Sequence, residues 1–128
     1  MFKKITPVLI VDTIEPLLPL WDALEFTRTA EVPHDGRLGF VMLQRDAVEL
    51  MYQTFASVEA DEPRSLKGPR AIGASGIFIE VEDLDAVAAK VPATADVIER
   101  RRETFYGATE MIIRDTAGNV IVLAQMKG

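Results

Sequence analysis

The sequence predicts an α+β fold of two βαβββ repeats, one sheet each, and three observations lead there. Residues 110–126, "EMIIRDTAGNVIVLAQM", alternate apolar and polar positions on both sides of a short break, as the two strands of a hairpin do. Residues 37–54 carry the same alternation earlier in the chain. Val11-Asp12-Thr13-Ile14 and Val81-Glu82-Asp83-Leu84 then occupy the same strand-to-helix corner, 70 positions apart (81 minus 11). Identity between the halves is slight, so the pattern carries the repeat. Two such units must bury their apolar faces together, and 128 residues suffice for one domain with a sizeable core.

Taken in order, "KITPVLIV" (4–11) reads as a buried strand, with Pro7 marking an edge or a bulge. "IEPLLPLWDAL" (14–24) reads as a helix: Asp12 or Thr13 caps it, Pro16 suits its first turn, and Leu17, Leu20, Trp21 and Leu24 form one apolar stripe. "EFTRTAEV" (25–32) is a strand, "PHDG" (33–36) a turn and "RLGFVMLQ" (37–44) the next strand. "RD" (45 and 46) leads tightly into "AVELMYQT" (47–54). Residues 57–75, with two prolines and two glycines, read as a linker loop between a first module, 1–56, and a second, 76–128. In the second module "GIFIEV" (76–81) is a strand, "DLDAVAAKV" (83–91) a helix stopped by Pro92, and 95–105 holds a strand before the turn at 106–108.

Bulk properties exclude several functions. The chain is 48% hydrophobic and 27% charged, an ordinary globular balance, and no apolar run approaches a membrane span. No leader-like pattern opens it, so a cytoplasmic protein is expected. The absence of cysteine rules out disulfides, thiol nucleophiles and thiolate metal sites. A net charge of −6 and a pI near 4.8 argue against nucleic acid and suit cationic ligands. The one basic run, Arg100-Arg101-Arg102, lies between Glu99 and Glu103 and reads as a solvated strand. "GASG" (73–76) has no helix directly after it, and no P-loop or nucleophile elbow exists.

"PVLIVDTIEPLLPLWDALEF", "GIFIEVEDLDAVAAKV" and above all "YGATEMIIRDTAGNVIVLAQM" together resemble the glyoxalase, bleomycin-resistance and extradiol-dioxygenase superfamily, the vicinal oxygen chelate (VOC) proteins, over essentially the whole chain. Two departures stand out: Thr116 where the family has Pro after the Asp, and Glu25 where it has Gly at the helix exit. The resemblance implies a single domain, 1–128, whose eight strands curl into a half-barrel around a central cavity. In metal-dependent members four strands each send one residue to a divalent ion. Those positions here are Thr6, Glu49, Gly76 and Val122, and only Glu49 ligates well. A transition-metal site normally needs three protein donors or more, so no metal and no other cofactor is expected.

The residues expected to contact a ligand are Glu49, Met42, Met51, Phe78, Tyr106, Arg114 and Gln125. Alternation turns Glu49, Met51 and Gln53 away from Val48, Leu50 and Tyr52, towards the cavity. There Glu49 would bind a cation or act as a base with a raised pKa. Tyr106 matches the family's aromatic-Gly turn, which in relatives often leans over the ligand. The methionines and Phe78 supply an adaptable apolar lining, and Arg114 and Gln125 could orient a ligand by hydrogen bonds. His34, the sole histidine, sits in a turn and reads as a surface residue, Trp21 as core, and Asp115, Gly118 and Asn119 as turn residues. The leading expectation is a homodimer that binds an apolar or cationic small molecule without metal, as in the bleomycin-resistance branch. The alternative is a lyase or isomerase of the same superfamily, or a dioxygenase-related activity, with Glu49 as general base.

Overall fold

The computed structural model describes residues 1, 3–61 and 75–127. Its elements are β1 (Val8–Val11), a 3-10 turn (Glu15–Leu17), α1 (Leu18–Ala23), β2 (Thr27–His34), β3 (Arg37–Arg45), β4 (Val48–Thr54) and α2 (Phe55–Asp61). After the gap come β5 (Gly76–Glu80), α3 (Leu84–Ala88), β6 (Asp96–Glu103), β7 (Ala108–Arg114) and β8 (Val120–Met126). Sheet 1 has the order β1-β4-β3-β2 and sheet 2 the order β5-β8-β7-β6. In each, the first strand runs parallel to the last and the hairpins are antiparallel. The duplication is therefore one of topology, and the two sheets remain separate hydrogen-bonded units.

Local chemistry explains most boundaries. Asp35 and Gly36, both at positive φ, form the two-residue turn that closes β2 onto β3. Pro7 lies just before β1, an edge strand, and its carbonyl accepts the Met51 N–H at 2.9 Å. The expected cap of α1 by Asp12 or Thr13 is not made. A 3-10 turn closed by Leu17 N–H on Ile14 O at 2.8 Å starts the helix instead, and Pro19 has no N–H to give Glu15 O the bond that an α-helix from that point would make. Asp83 caps α3 through the Ala86 N–H at 3.2 Å. Residues 57–61 are helical, where a linker was expected: Thr54 Oγ1 accepts the Ser57 N–H at 3.1 Å, and Phe55 and Val58, one turn apart, bury themselves. The rest of that segment, 62–74, lies outside the described residues. No helix among the described residues is long and apolar enough to cross a membrane.

The sheets stand back to back. Val41, Leu43, Leu50 and Tyr52 of sheet 1 join Ile113, Ile121 and Leu123 of sheet 2 in one core, with Trp21 of α1 fully buried among them. The start of α1 faces the β7–β8 turn across a cleft, and α3 faces the β3–β4 turn across another, the same relation made twice. A buried hydrogen-bond chain crosses the junction. Trp21 Nε1 donates to the Tyr52 hydroxyl at 3.2 Å, which donates to Asp115 Oδ2 at 3.0 Å. Burial, and then the Asp115 charge, push the Tyr52 phenol far above its ordinary range, so it stays protonated. Glu25 has φ of 65°, which accounts for the glycine that the superfamily pattern carries there. Here its carboxylate holds Lys90 at 2.6 Å and Arg45 at 2.9 Å, a second tie between modules.

Candidate functional site

Because the helix-side faces of both sheets are spent on the core, the face of each sheet turned away from it is what remains for a ligand. On sheet 1 the alternation holds as expected: Leu50 and Tyr52 are buried inward, so Glu49, Met51 and Gln53 point outward. Met51 lies directly across from Met42, Gln53 from Phe40, and Glu49 from Gln44. Phe40, Met42 and Met51 are half-buried and take no part in the core. They form an apolar floor beside the Glu49 carboxylate.

Glu49 is already engaged. Its Oε1 accepts the Thr6 hydroxyl at 2.9 Å and meets Lys4 Nζ at 2.9 Å, with only 13% of the side chain exposed. Lys4 first, then Thr6, hold its carboxyl below the ordinary carboxylate value, the reverse of the raised pKa expected of a base. The sign follows directly. Stability from this pairing is present above the ordinary carboxylate range and is lost as pH falls through the lowered value. Lys4→Met is therefore expected to raise the Glu49 pKa, read from its side-chain NMR titration. A titration unchanged by the substitution would remove Lys4 as the cause.

On sheet 2, Phe78 faces outward opposite Val122 and is 52% exposed, while Ile112 and Val120 extend the same apolar face. Arg114 ends β7, exposed at the rim. Tyr106 stands in the β6–β7 turn and its hydroxyl donates to Glu110. Gln125 departs from expectation. It shares the parity of Ile121 and Leu123, so it faces the helices, where its Oε1 accepts the Leu84 N–H at 2.8 Å and caps α3. The structure thus gathers Glu49, Met42 and Met51 on one face, and Phe78, Tyr106 and Arg114 on or beside another. Since the sheets are back to back, a single chain does not bring the two groups together.

The inherited metal positions divide in the same way. Thr6 and Glu49 touch on sheet 1, while Gly76 has no side chain and Val122 presents only hydrocarbon on sheet 2. Among the described residues no three of His, Asp and Glu converge to hold an ion. The donor set does not fit a transition metal. Sequence reasoning missed Glu110, a wholly buried carboxylate on the outer face of β7, and its partner Arg102. Strand parity would have turned Glu110 outward, but nothing in the sequence marks it as buried. On the core side, a cleft of about 600 Å³ lies between the modules under the Glu25–Lys90 pair, floored by Leu24, Ile79 and Leu123.

Comparison with solved structures agrees with this architecture. TioX from Micromonospora sp. ML1 superposes with a TM-score of 0.72 at 16% identity, over 97% of this chain and 100% of that one. A glyoxalase/bleomycin resistance protein/dioxygenase family enzyme from Burkholderia phytofirmans PsJN gives 0.71 at 16% identity, over 94% and 95%. A bleomycin resistance determinant encoded on the transposon Tn5 gives 0.68 at 16% identity, over 99% and 100%. The chain has the fold these proteins share, the fold that the sequence motifs implied. No protein-family model and no curated protein matches the sequence.

Proposed function

We propose that this chain is a metal-independent small-molecule-binding member of the glyoxalase/bleomycin resistance superfamily, working as a cytoplasmic homodimer. The observation that carries the reading is the pair of half-exposed apolar outer faces, Phe40, Met42 and Met51 on sheet 1 and Phe78, Ile112 and Val122 on sheet 2, left outside the core. Two chains that bring sheet 1 of one against sheet 2 of the other enclose a cavity with all of these residues in its wall. Methionine and aromatic lining suits an apolar body of irregular shape. The acidic chain and the Glu49 carboxylate favour a cationic group on it. Proteins of the same fold include both a bleomycin resistance determinant and a family enzyme, so the choice of binding over turnover rests on the residues of this chain. As a general base Glu49 is poorly placed, since Lys4 and Thr6 keep it ionised and weakly basic.

The test is a thermal-shift panel of apolar and cationic compounds on purified protein, with metal analysis and sedimentation run on the same sample. A bound compound at one hundred times its Kd stabilises the fold by about 2.7 kcal/mol, an easily read shift. Expected are a dimer, transition metal well below one per chain, and a shift that Glu49→Gln weakens only for cationic compounds. Stoichiometric metal, or turnover abolished by Glu49→Gln, would replace this reading with the enzymatic one.

A further inference from the structure

Among the described residues the buried carboxylates are Asp115 and Glu110. Asp115 builds the fold, through the β7–β8 turn and Tyr52. Glu110 sits directly across from Arg102 in the β6–β7 register, and among the described residues it bonds side chains alone. Its Oε1 accepts Arg102 Nε at 2.9 Å and its Oε2 accepts the Tyr106 hydroxyl. A carboxylate taken out of water is costly unless it is paired, so a position this deep on an otherwise apolar face calls for a purpose. Here it fixes two side chains that are themselves about half exposed, Arg102 at 49% and Tyr106 at 42%.

The surroundings are shaped for it. Ala124, directly across from Glu110, and Ala108, two residues before it, are small and fully buried. The β6–β7 register slips between Val97 and Glu99 and again between Glu99 and Arg102, and such bulges re-aim side chains. Of the arginine run expected to be solvated, Arg101 pairs with Asp85 at 2.7 Å, whereas Arg102 turns onto Glu110. Only Nε of Arg102 is committed to Glu110. The guanidinium also bonds the Tyr106 hydroxyl, and among the described residues its remaining N–H groups are left to pair the two oxygens of a carboxylate. Beside Arg102 stands Tyr106, whose ring meets the fully exposed Phe105 edge to face at 5.2 Å.

We propose that Arg102 is an oxyanion subsite for the carboxylate of an aryl-carboxylate ligand, with Phe105 and Tyr106 against the ring and Glu110 as the positioning residue. The Arg102–Glu110 pair is neutral as a unit and the chain is acidic, so recognition rests on these N–H groups and not on long-range attraction. The subsite lies on sheet 2 alone and needs neither a second chain nor Glu49. It therefore stands or falls separately from the function proposed above.

The experiment is an NMR titration of the full chain with benzoate, phenyl phosphate and the neutral analogue benzyl alcohol. It compares wild type, Arg102→Lys, Tyr106→Phe and the double variant Arg102→Met with Glu110→Gln, which leaves no buried charge unpaired. Circular dichroism melting confirms that each is folded. Benzoate is expected to bind wild type about tenfold or more tightly than benzyl alcohol. That preference should vanish in the double variant and in Arg102→Lys, whose single ammonium cannot replace the guanidinium, while benzyl alcohol affinity is unchanged. Phenyl phosphate outranking benzoate, with the same loss in the variants, would support the oxyanion subsite and reassign its source to phosphate. Equal binding of benzoate and benzyl alcohol, or a preference that survives in the folded double variant, overturns the proposal.

Discussion

Asp115→Ala is expected to lower the unfolding free energy by about 3 kcal/mol or more, measured as a shift in the denaturant midpoint at unchanged slope. The reason is the number of donors it would orphan. Asp115 is 7% exposed, and its Oδ1 accepts the N–H groups of Ala117 at 3.0 Å and Asn119 at 2.8 Å, while its Oδ2 accepts the Tyr52 hydroxyl. Each buried donor left without a partner costs roughly 1–3 kcal/mol, and contributions in one network are not additive. The alanine variant would also cut the hydrogen-bond chain from Trp21 to the β7–β8 turn, which ties the second module to the first. Tyr52→Phe provides the graded comparison. It keeps the turn intact, frees only Trp21 Nε1 and one carboxylate contact, and should cost about 1–2 kcal/mol. If Asp115→Ala cost no more than Tyr52→Phe, the turn bonds would carry nothing, and Asp115 would have to be explained otherwise.

How far the sequence reveals this molecule depends on which interactions set each feature. Strand periodicity is local, so the repeat, the eight strands and the outward parity of Glu49 and Met51 were all legible. Parity also held the answer for Gln125, two residues from Leu123 on the same face. Its polarity suggested a ligand contact where the structure uses it to cap α3. Other features depend on partners far away in the chain. The helix from Phe55 escaped notice because only Phe55 and Val58 are buried in an otherwise polar stretch. The lowered pKa of Glu49 comes from Lys4, 45 positions earlier (49 minus 4), and no pattern near Glu49 announces it. Glu110 is the clearest case. Its burial requires Arg102 to be turned onto it by two register slips in β6, and bulges leave no periodic trace in composition. The back-to-back arrangement of the sheets is likewise tertiary, and it decides which site residues one chain can gather.

The largest loss should come from Trp21→Ala, about 3–5 kcal/mol against a total stability of about 5–15 kcal/mol for a domain of this class. Trp21 has no exposed surface, packs edge-on to Phe26 at a centroid distance of 4.8 Å and lies 6.4 Å from Tyr52. Truncation leaves a void at the seam of both modules and strips the Tyr52 hydroxyl of a donor. As Trp21 is the only tryptophan, circular dichroism and not tryptophan fluorescence must follow the melt. Met51→Ala makes the opposing case. Met51 lies outside the core on the outer face of sheet 1, so its loss should cost well under about 1 kcal/mol, as at surface positions generally. A Met51→Ala loss as large as that of Trp21→Ala would mean that the outer face is structural, not vacant for a ligand. The expected asymmetry instead places stability on the inner faces and leaves the outer ones free for binding. Lost binding in a variant of Glu49 or Met51 that still melts like wild type then reports on the site and not on the fold.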